Sequence, residues 1–293
     1  MGNFLPDPEL LRAKLKLRHF QSQNLLTAKY PKIAGLLTSA SKAIASGAAI
    51  TGLSLSSAGG INPLIVSANP HAIISPQDLE RSFREKLQGI LPKDVVPLSE
   101  IQENTVSDLL HDQYGIHATA KLEGNRLKDS YGFIGAEQHL PRYPGDSVYQ
   151  HDRFKEAGIT PGRGAWGYFA WSKDKMTEDL VEKEKYYVAV QTLYLDDYTE
   201  RLAYYRDWFK LRKVVVVNPR SGRAIVAVIA DAGPAWWTGK KFGGSPEVMD
   251  YLQSRDGKQK GPVILFFVDD PQGEVPLGPL EQNLEGQNIK LLT

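Results

Sequence analysis

Two short runs rich in β-branched residues, at 214–217 and 224–229, most constrain what this chain can fold into. The turn-forming sequence Asn-Pro-Arg-Ser-Gly separates them, and this pattern predicts an antiparallel pair of strands. An acid, Asp231, follows the second run, and Gly233 and Pro234 come directly after it. The sequence therefore places a carboxyl group at the end of an apolar strand.

A short helix and another strand are predicted after this acid. Ser245 is a favourable N-cap, Pro246 suits the first helical position, and Glu247 lies where the helix dipole favours negative charge. The apolar run at 263–268 then predicts a closing strand.

The order of these elements carries a family resemblance. A strand, Asp-Ala-Gly-Pro at 231–234, a helix after Ser245 and a strand after Gly261-Pro262 together resemble the double-psi β-barrel domains of cell-wall proteins. Those domains occur in the rare lipoprotein A group, the membrane-bound lytic transglycosylase A family and, more distantly, expansins and barwin-like endoglucanases. The resemblance covers about a fifth of the chain. It implies a mainly β fold, a six-stranded double-psi β-barrel.

We expect four segments along the chain. Helical patterns at 75–91 and 98–114 predict a helical N-terminal lead-in over 69–114. The barrel is expected over 115–270, with an inserted helix at about 196–211, and an irregular tail over 271–293. Within the barrel, we expect the charged segment 175–185 to be exposed.

The segment before residue 69 has the composition of a targeting sequence. Residues 1–32 carry six Lys or Arg against two acids, and residues 33–68 carry only one charge, Lys42. A basic region followed by an apolar region with small residues is typical of a secretory signal or signal anchor. The alternative is a linker rich in Ala, Ser and Gly. The first interpretation predicts an extracytoplasmic protein, with a possible membrane tether.

Composition excludes some functions. The formal net charge of +1 gives no reason to expect a nucleic-acid partner, and the absence of cysteine excludes thiolate chemistry. No nucleotide-binding motif follows a predicted strand, and we predict no cofactor.

The loop at 136–151 concentrates polar side chains among Pro and Gly residues. His139, Asp146 and His151 are weak candidates for metal ligands, since their spacing matches no compact metal-binding motif. Alternatively, Glu137 or Asp146 supplies a second carboxylate for glycan chemistry. A third interpretation is a packed loop whose polar groups bond its own backbone.

The segment 162–171 is rich in Gly and aromatic residues, and predicts a strand with a close backbone approach. Trp166, Tyr168 and Trp171 are candidates for a sugar-binding groove, because aromatic rings offer a flat apolar face. The alternative is that they belong to the core.

The resemblance implies a role for Asp231 as the general acid/base of a lytic transglycosylase. Cleavage of a glycosidic bond requires a protonated carboxyl at the leaving oxygen, and burial at a strand end raises a carboxyl pKa. Asp250 and Asp146 are candidates for a second carboxylate. Trp236, Trp237, Thr238 and Lys240 are candidates for binding the glycan. The alternative for Asp231 is a structural acid that accepts backbone hydrogen bonds.

Two functions follow from these residues. The first is an exported cell-wall glycan-cleaving enzyme, a peptidoglycan lytic transglycosylase or an endoglycosidase. The second is a non-catalytic module on the same barrel that binds peptidoglycan or another polysaccharide, or loosens the wall.

Overall fold

A computed structural model describes residues 76–252 and 260–280 of the 293-residue chain. The predicted signal, anchor or linker segment at 1–68 lies outside the described residues. So do residues 281–293 of the predicted tail.

The described residues contain ten strands, the first of which begins at Ala118. In chain order they are β1 (Ala118–Thr119), β2 (Lys121–Leu122), β3 (Asn125–Arg126), β4 (Tyr131–Ala136), β5 (Tyr187–Val190), β6 (Lys213–Val217), β7 (Ala224–Ala232), β8 (Phe242–Gly244), β9 (Lys260–Val268) and β10 (Gly278–Pro279).

Six of these strands close into a barrel in the order β4, β8, β5, β7, β6, β9 and back to β4. Strand β6 completes the ring because it pairs on both edges: Val215 lies opposite Val226 of β7 and Phe266 of β9. The chain is thus a mixed α/β protein with a closed β-barrel, where the sequence predicted a mainly β fold.

The barrel pairing has an internal symmetry. Two pairs are parallel, β4 with β8 and β5 with β7, and the other pairs of the ring are antiparallel. If β4 is exchanged with β7, β5 with β8 and β6 with β9, every pairing of the ring is preserved in partner and direction. The two halves of the barrel sequence therefore have equivalent topology.

Helices cover the barrel and connect its strands. They are α1 (Pro76–Ile90), α2 (Glu100–Tyr114), α3 (Glu178–Lys185), α4 (Leu202–Phe209) and α5 (Pro246–Tyr251). Helix α2 begins at a capping box, in which Ser99 and Gln102 bond each other's backbone, and ends at Gly115 in the left-handed region.

Alternate residues of the central strands belong to two different cores. Val214 and Val216 pack in the barrel interior with Phe209 of α4. Val215 and Val217 face the other way and pack against residues of α1 and α2. Because β6, β7 and β9 are buried on both faces, they have the near-continuous apolar sequences that made them recognisable.

Several local predictions are confirmed. Strands β6 and β7 form the antiparallel pair, β9 spans the last apolar run, and α5 begins after Ser245, whose side chain accepts a hydrogen bond from the Val248 N–H.

The strand predicted at 162–171 is wrong. The Gly167 N–H donates to the Gly164 carbonyl at 3.0 Å, and Gly167 has a φ of 101°. This left-handed conformation, which favours glycine, reverses the chain instead of extending it. The predicted close approach is confirmed, since a Cβ on Gly164 would lie 2.9 Å from the Ala230 carbonyl oxygen.

The packing of α2 on the barrel gives a test of the fold. Leu110 is fully buried against the outer core, whereas Ile101 on the same helix is 80% exposed. We expect Leu110→Ala to lower the free energy of unfolding by about 2–5 kcal/mol, because it leaves a cavity. Ile101→Ala, the matched control, should change it by less than about 0.5 kcal/mol. Urea unfolding measures both, and equal effects would show that α2 does not pack as described.

Candidate functional site

Asp231 is held at the end of β7 by backbone groups. Its Oδ1 atom accepts hydrogen bonds from the Ala165 N–H at 2.7 Å and from the Ala232 N–H at 2.9 Å. The first of these bonds ties the loop around residue 165 to the strand, and Gly164 permits the approach because it has no side chain. Within the described part of the chain, no hydrogen bond to Oδ2 is found. The carboxyl group is therefore fixed through one oxygen while the other is available.

The environment of Asp231 favours its protonated form. Burial raises the pKa of the Asp231 carboxyl to about 6, although the hydrogen bonds from Ala165 and Ala232 lower it. This carboxyl therefore holds a proton over much of the weakly acidic range.

Glu137 lies within electrostatic range of Asp231. It directly follows β4, and its N–H donates to the Gly244 carbonyl at 2.8 Å. Burial raises the pKa of Glu137 to about 7, the positive charge of Lys240 lowers it, and the negative charge of Asp231 raises it further. Gly243 makes room for this carboxylate, since a Cβ there would collide with it. Two acids with raised pKa values are thus brought together.

Lys240 reaches the same region. A side chain on Gly135 would collide with the Lys240 side chain, so the lysine lies directly over β4. Gln191 holds both ends of the loop at 234–240, because its Nε2 donates to the Pro234 carbonyl at 2.9 Å and to the Lys240 carbonyl at 3.0 Å.

Aromatic side chains lie on two segments next to Asp231: the loop at 162–171, which bonds Asp231 through the Ala165 N–H, and the turn at 236–238. Trp236 and Trp237 are 68% and 40% exposed, and their rings meet edge to face with centroids 6.0 Å apart. Trp166 and Tyr168 line a separate small pocket together with Ala230, and Trp166 also packs against the barrel core. Strongly exposed indole surface is offered by Trp236 and by Trp171, which is 89% exposed at the end of the segment 162–171.

The remaining predicted residues have mainly local partners. The Thr238 hydroxyl donates to the Ala235 carbonyl at 2.7 Å. Asp146 accepts from the Arg142 N–H at 2.8 Å and lies 3.0 Å from His151 Nε2. Asp250 of α5 is 3.8 Å from the Arg153 guanidinium. Of the candidates for a second carboxylate, Glu137 is the one whose pKa is raised by the charge of Asp231.

A second polar cluster lies under the same loop. His139, His151 and Glu184 are buried, and a ligand atom of each lies within 4.8 Å of the others, so these side chains could hold a metal ion. Arg142 donates to Glu184 Oε2 at 2.9 Å. Burial raises the pKa of Glu184, but the contacts with His139, His151 and Arg142 outweigh it and lower the pKa to about 2.

Glu184 was missed because it belongs to the charged segment that we expected to be exposed. In α3 it follows Leu180 and Val181 by four and three residues. This spacing places it on the side of the helix that carries the two apolar residues. The helical register was therefore a signal that Glu184 turns inward.

Comparison with known proteins gave no relative: no protein-family model and no curated protein matches the chain. Among residues 76–252 and 260–280, no helix combines the length and the apolar composition that a bilayer crossing requires.

The raised pKa of Glu137 predicts how stability depends on pH. Because the folded state binds the proton more tightly than the unfolded state does, wild type should lose stability as pH rises from about 4.5 to about 7. Glu137→Gln removes this group, so its free energy of unfolding should not fall in this way. Between pH 4.5 and pH 7, the variant should gain stability relative to wild type on the order of 2 kcal/mol. Urea unfolding at pH 4.5, 6 and 8 measures the difference.

The matched control is Glu200→Gln, which removes an exposed carboxyl outside the site. A Glu137→Gln curve parallel to that of wild type would contradict the burial of a proton-binding carboxyl at this position.

Proposed function

We propose that the chain is a cell-wall glycan-cleaving enzyme of the lytic transglycosylase type, with Asp231 as its general acid/base. The observation that carries this proposal is the pair of neighbouring carboxyls with raised pKa values, about 6 for Asp231 and about 7 for Glu137. A carboxyl that protonates a glycosidic oxygen must hold a proton at the working pH, and a pKa of about 6 lets Asp231 do so under weakly acidic conditions.

The strand order supports assignment of the barrel to the double-psi type. The equivalence of its two halves, each of which contributes one strand to each parallel pair, is the topology expected of that fold. Asp231 lies near the end of the first strand of the second half, where the resembling families carry their catalytic acid.

The proposed reaction uses Asp231 twice. Its carboxyl first gives a proton to the glycosidic oxygen, and the bond from this oxygen to the anomeric carbon breaks with the electron pair leaving on the oxygen. The oxocarbenium-like sugar is then attacked at the anomeric carbon by its own hydroxyl. The Asp231 carboxylate takes the proton of that hydroxyl, which restores the acid and closes an anhydro ring.

The surrounding residues have separate roles in this scheme. The Ala165 and Ala232 N–H groups orient Asp231 through Oδ1, which leaves Oδ2 to carry the transferred proton. The positive charge of Lys240 stabilises the ionised form of Glu137. The exposed indoles of Trp236 and Trp237 provide a surface on which a sugar ring can stack.

This function requires export, and we propose residues 1–68 for that task. The substrate would be peptidoglycan or a related polysaccharide.

Substitution of Asp231 tests the catalytic role. Asp231→Asn keeps an Oδ1 acceptor for the Ala165 and Ala232 N–H groups but cannot donate the catalytic proton. We expect it to lower the rate of anhydro-sugar formation on purified peptidoglycan by about 10²–10⁴-fold, measured by mass spectrometry of the released fragments.

Asp250→Asn is the matched control and should retain activity, because Asp250 lies on α5 beside Arg153. Thermal unfolding checks that both variants are folded. Anhydro products formed by folded Asp231→Asn at the wild-type rate would refute the assignment. Products with ordinary reducing ends would instead indicate a hydrolase.

A non-catalytic glycan-binding module is the second candidate function, and the exposure of Trp236 and Trp237 favours it. In that case the wild type binds peptidoglycan but forms no product, and Asp231 only supports its loop.

The indole pair predicts a binding effect under either function. Trp236→Ala should reduce sedimentation with insoluble peptidoglycan by roughly 5- to 100-fold, because loss of a stacking aromatic removes about 1–3 kcal/mol of apolar contact. Tyr149→Ala is the matched control, since Tyr149 is 82% exposed and is not one of the candidate glycan-binding residues. Equal loss in both variants, or in neither, would exclude the Trp236 surface as a glycan platform.

A further inference from the structure

The buried cluster in the loop at 136–151 and helix α3 consists of His139, His151 and Glu184, and a side-chain nitrogen or oxygen of each faces the others. His139 Nδ1 lies 3.1 Å from Glu184 Oε1, and His151 Nδ1 lies 3.3 Å from Glu184 Oε2. All three side chains have zero exposure. The two rings are adjacent, with centroids 4.3 Å apart. Two imidazoles and a carboxylate therefore converge on one interior position.

The outer nitrogens of both rings fix the tautomers. His139 Nε2 lies 3.1 Å from the Arg153 carbonyl oxygen, and His151 Nε2 lies 3.0 Å from Asp146 Oδ2. A carbonyl and a carboxylate oxygen only accept, so each Nε2 carries the hydrogen. In the neutral imidazoles, the lone pairs of both Nδ1 atoms then face the Glu184 carboxylate. A cation between these acceptors, or a second proton on each imidazole, would satisfy this arrangement.

Two buried acceptors in this region have no hydrogen bond within the described part of the chain. They are His151 Nδ1 and Glu247 Oε2, in residues that are 1% and 9% exposed. The charge of Glu247 interacts with His139, Glu184 and His151, so Glu247 belongs to the same electrostatic environment. Unpaired acceptors at this depth are costly, and a shared ligand would satisfy both.

The charges around the cluster match a divalent ion. Glu184, Asp146 and Glu247 are three acids, and Arg142 is the one basic side chain that directly contacts Glu184 in the described region. With neutral imidazoles, these groups sum to −2. Arg142 bonds Glu184 Oε2 at 2.9 Å, whereas Oε1 lies 3.1 Å from His139 Nδ1, on the side of the proposed ligands.

We propose that His139, His151 and Glu184 form a site for a divalent transition-metal ion, zinc by the chemistry of the ligands. Imidazole nitrogen and carboxylate oxygen are common zinc ligands, and a hydrogen bond from the outer nitrogen of each histidine to an oxygen is typical of metal-binding histidines. Glu247 is our candidate for the fourth ligand. Burial of all these side chains indicates a structural site.

A metal in this site would fix the position of the loop that carries Glu137. His139 follows Glu137 by two residues, and the Tyr187 hydroxyl donates to the Gln138 carbonyl between them. A metal bound at His139 and at Glu184 of α3 would therefore join this loop to the helix that leads into β5. The inference rests on the cluster alone and stands whether or not the chain cleaves glycans.

Zinc titration of the full chain tests the site. After removal of metal with EDTA, we expect isothermal titration with ZnCl₂ to give one ion per chain and the thermal unfolding midpoint to rise by several degrees. Asp146→Asn weakens the hydrogen bond that orients His151, so it should lower zinc affinity by about 10–100-fold. His151→Gln should abolish binding.

The matched control is the double variant His111→Gln, His117→Gln. These exposed histidines stack with centroids 4.4 Å apart and offer an alternative surface site. The double variant should keep the wild-type stoichiometry and midpoint. Zinc binding that disappears in this variant and persists in Asp146→Asn would overturn the proposal. So would a wild type that neither binds zinc nor gains stability from it, a result expected if protons alone fill the cluster.

Discussion

Desolvation of the half-buried Asp231 carboxyl at the end of an apolar strand is the constraint on which the rest of the structure depends. Strand β7 can lie in the barrel wall between β5 and β6 with both faces covered because its residues up to Ala230 are apolar and buried. The first acid of the strand then meets backbone N–H groups of Ala165 and Ala232. These bonds satisfy one oxygen without supplying a full positive charge. Desolvation therefore prevails, and the proton affinity of the carboxyl rises.

The loop after β4 joins two polar clusters that have opposite electrostatic character. At its start, Glu137 shares the region of Asp231, and burial raises the pKa values of both acids. Two residues later, His139 belongs to a cluster in which Glu184 keeps a lowered pKa through its histidine and arginine partners. Tyr187 lies between them, because its hydroxyl bonds the Gln138 carbonyl and its pKa is raised by burial and by acids of both clusters. The loop after β4 therefore carries residues of both clusters, with Tyr187 bonded to its backbone between them.

Sequence patterns predicted the parts of the fold that local rules control. The hairpin of β6 and β7, the capped helix α5 and the strand β9 all follow from β-branched runs and capping residues. The segment at 162–171 was predicted wrongly because Gly167 adopts a left-handed turn, which composition alone does not distinguish from a glycine-containing strand. Asp231 was found from its position in a motif. Its proximity to Glu137, 94 positions away in the sequence, arises only from barrel closure. Glu184 was missed because its partners come from a different loop.

The most direct test of this account is the titration of the Asp231 carboxyl itself. Carbon-13 NMR of the side-chain carboxyl, assigned by comparison with Asp231→Asn, reports its protonation as a function of pH. The account predicts a midpoint near pH 6, because burial outweighs the two backbone hydrogen bonds. A midpoint at the ordinary aspartate value of 3.8 would show that the carboxyl is solvated, and would contradict the proton-holding site at the end of β7.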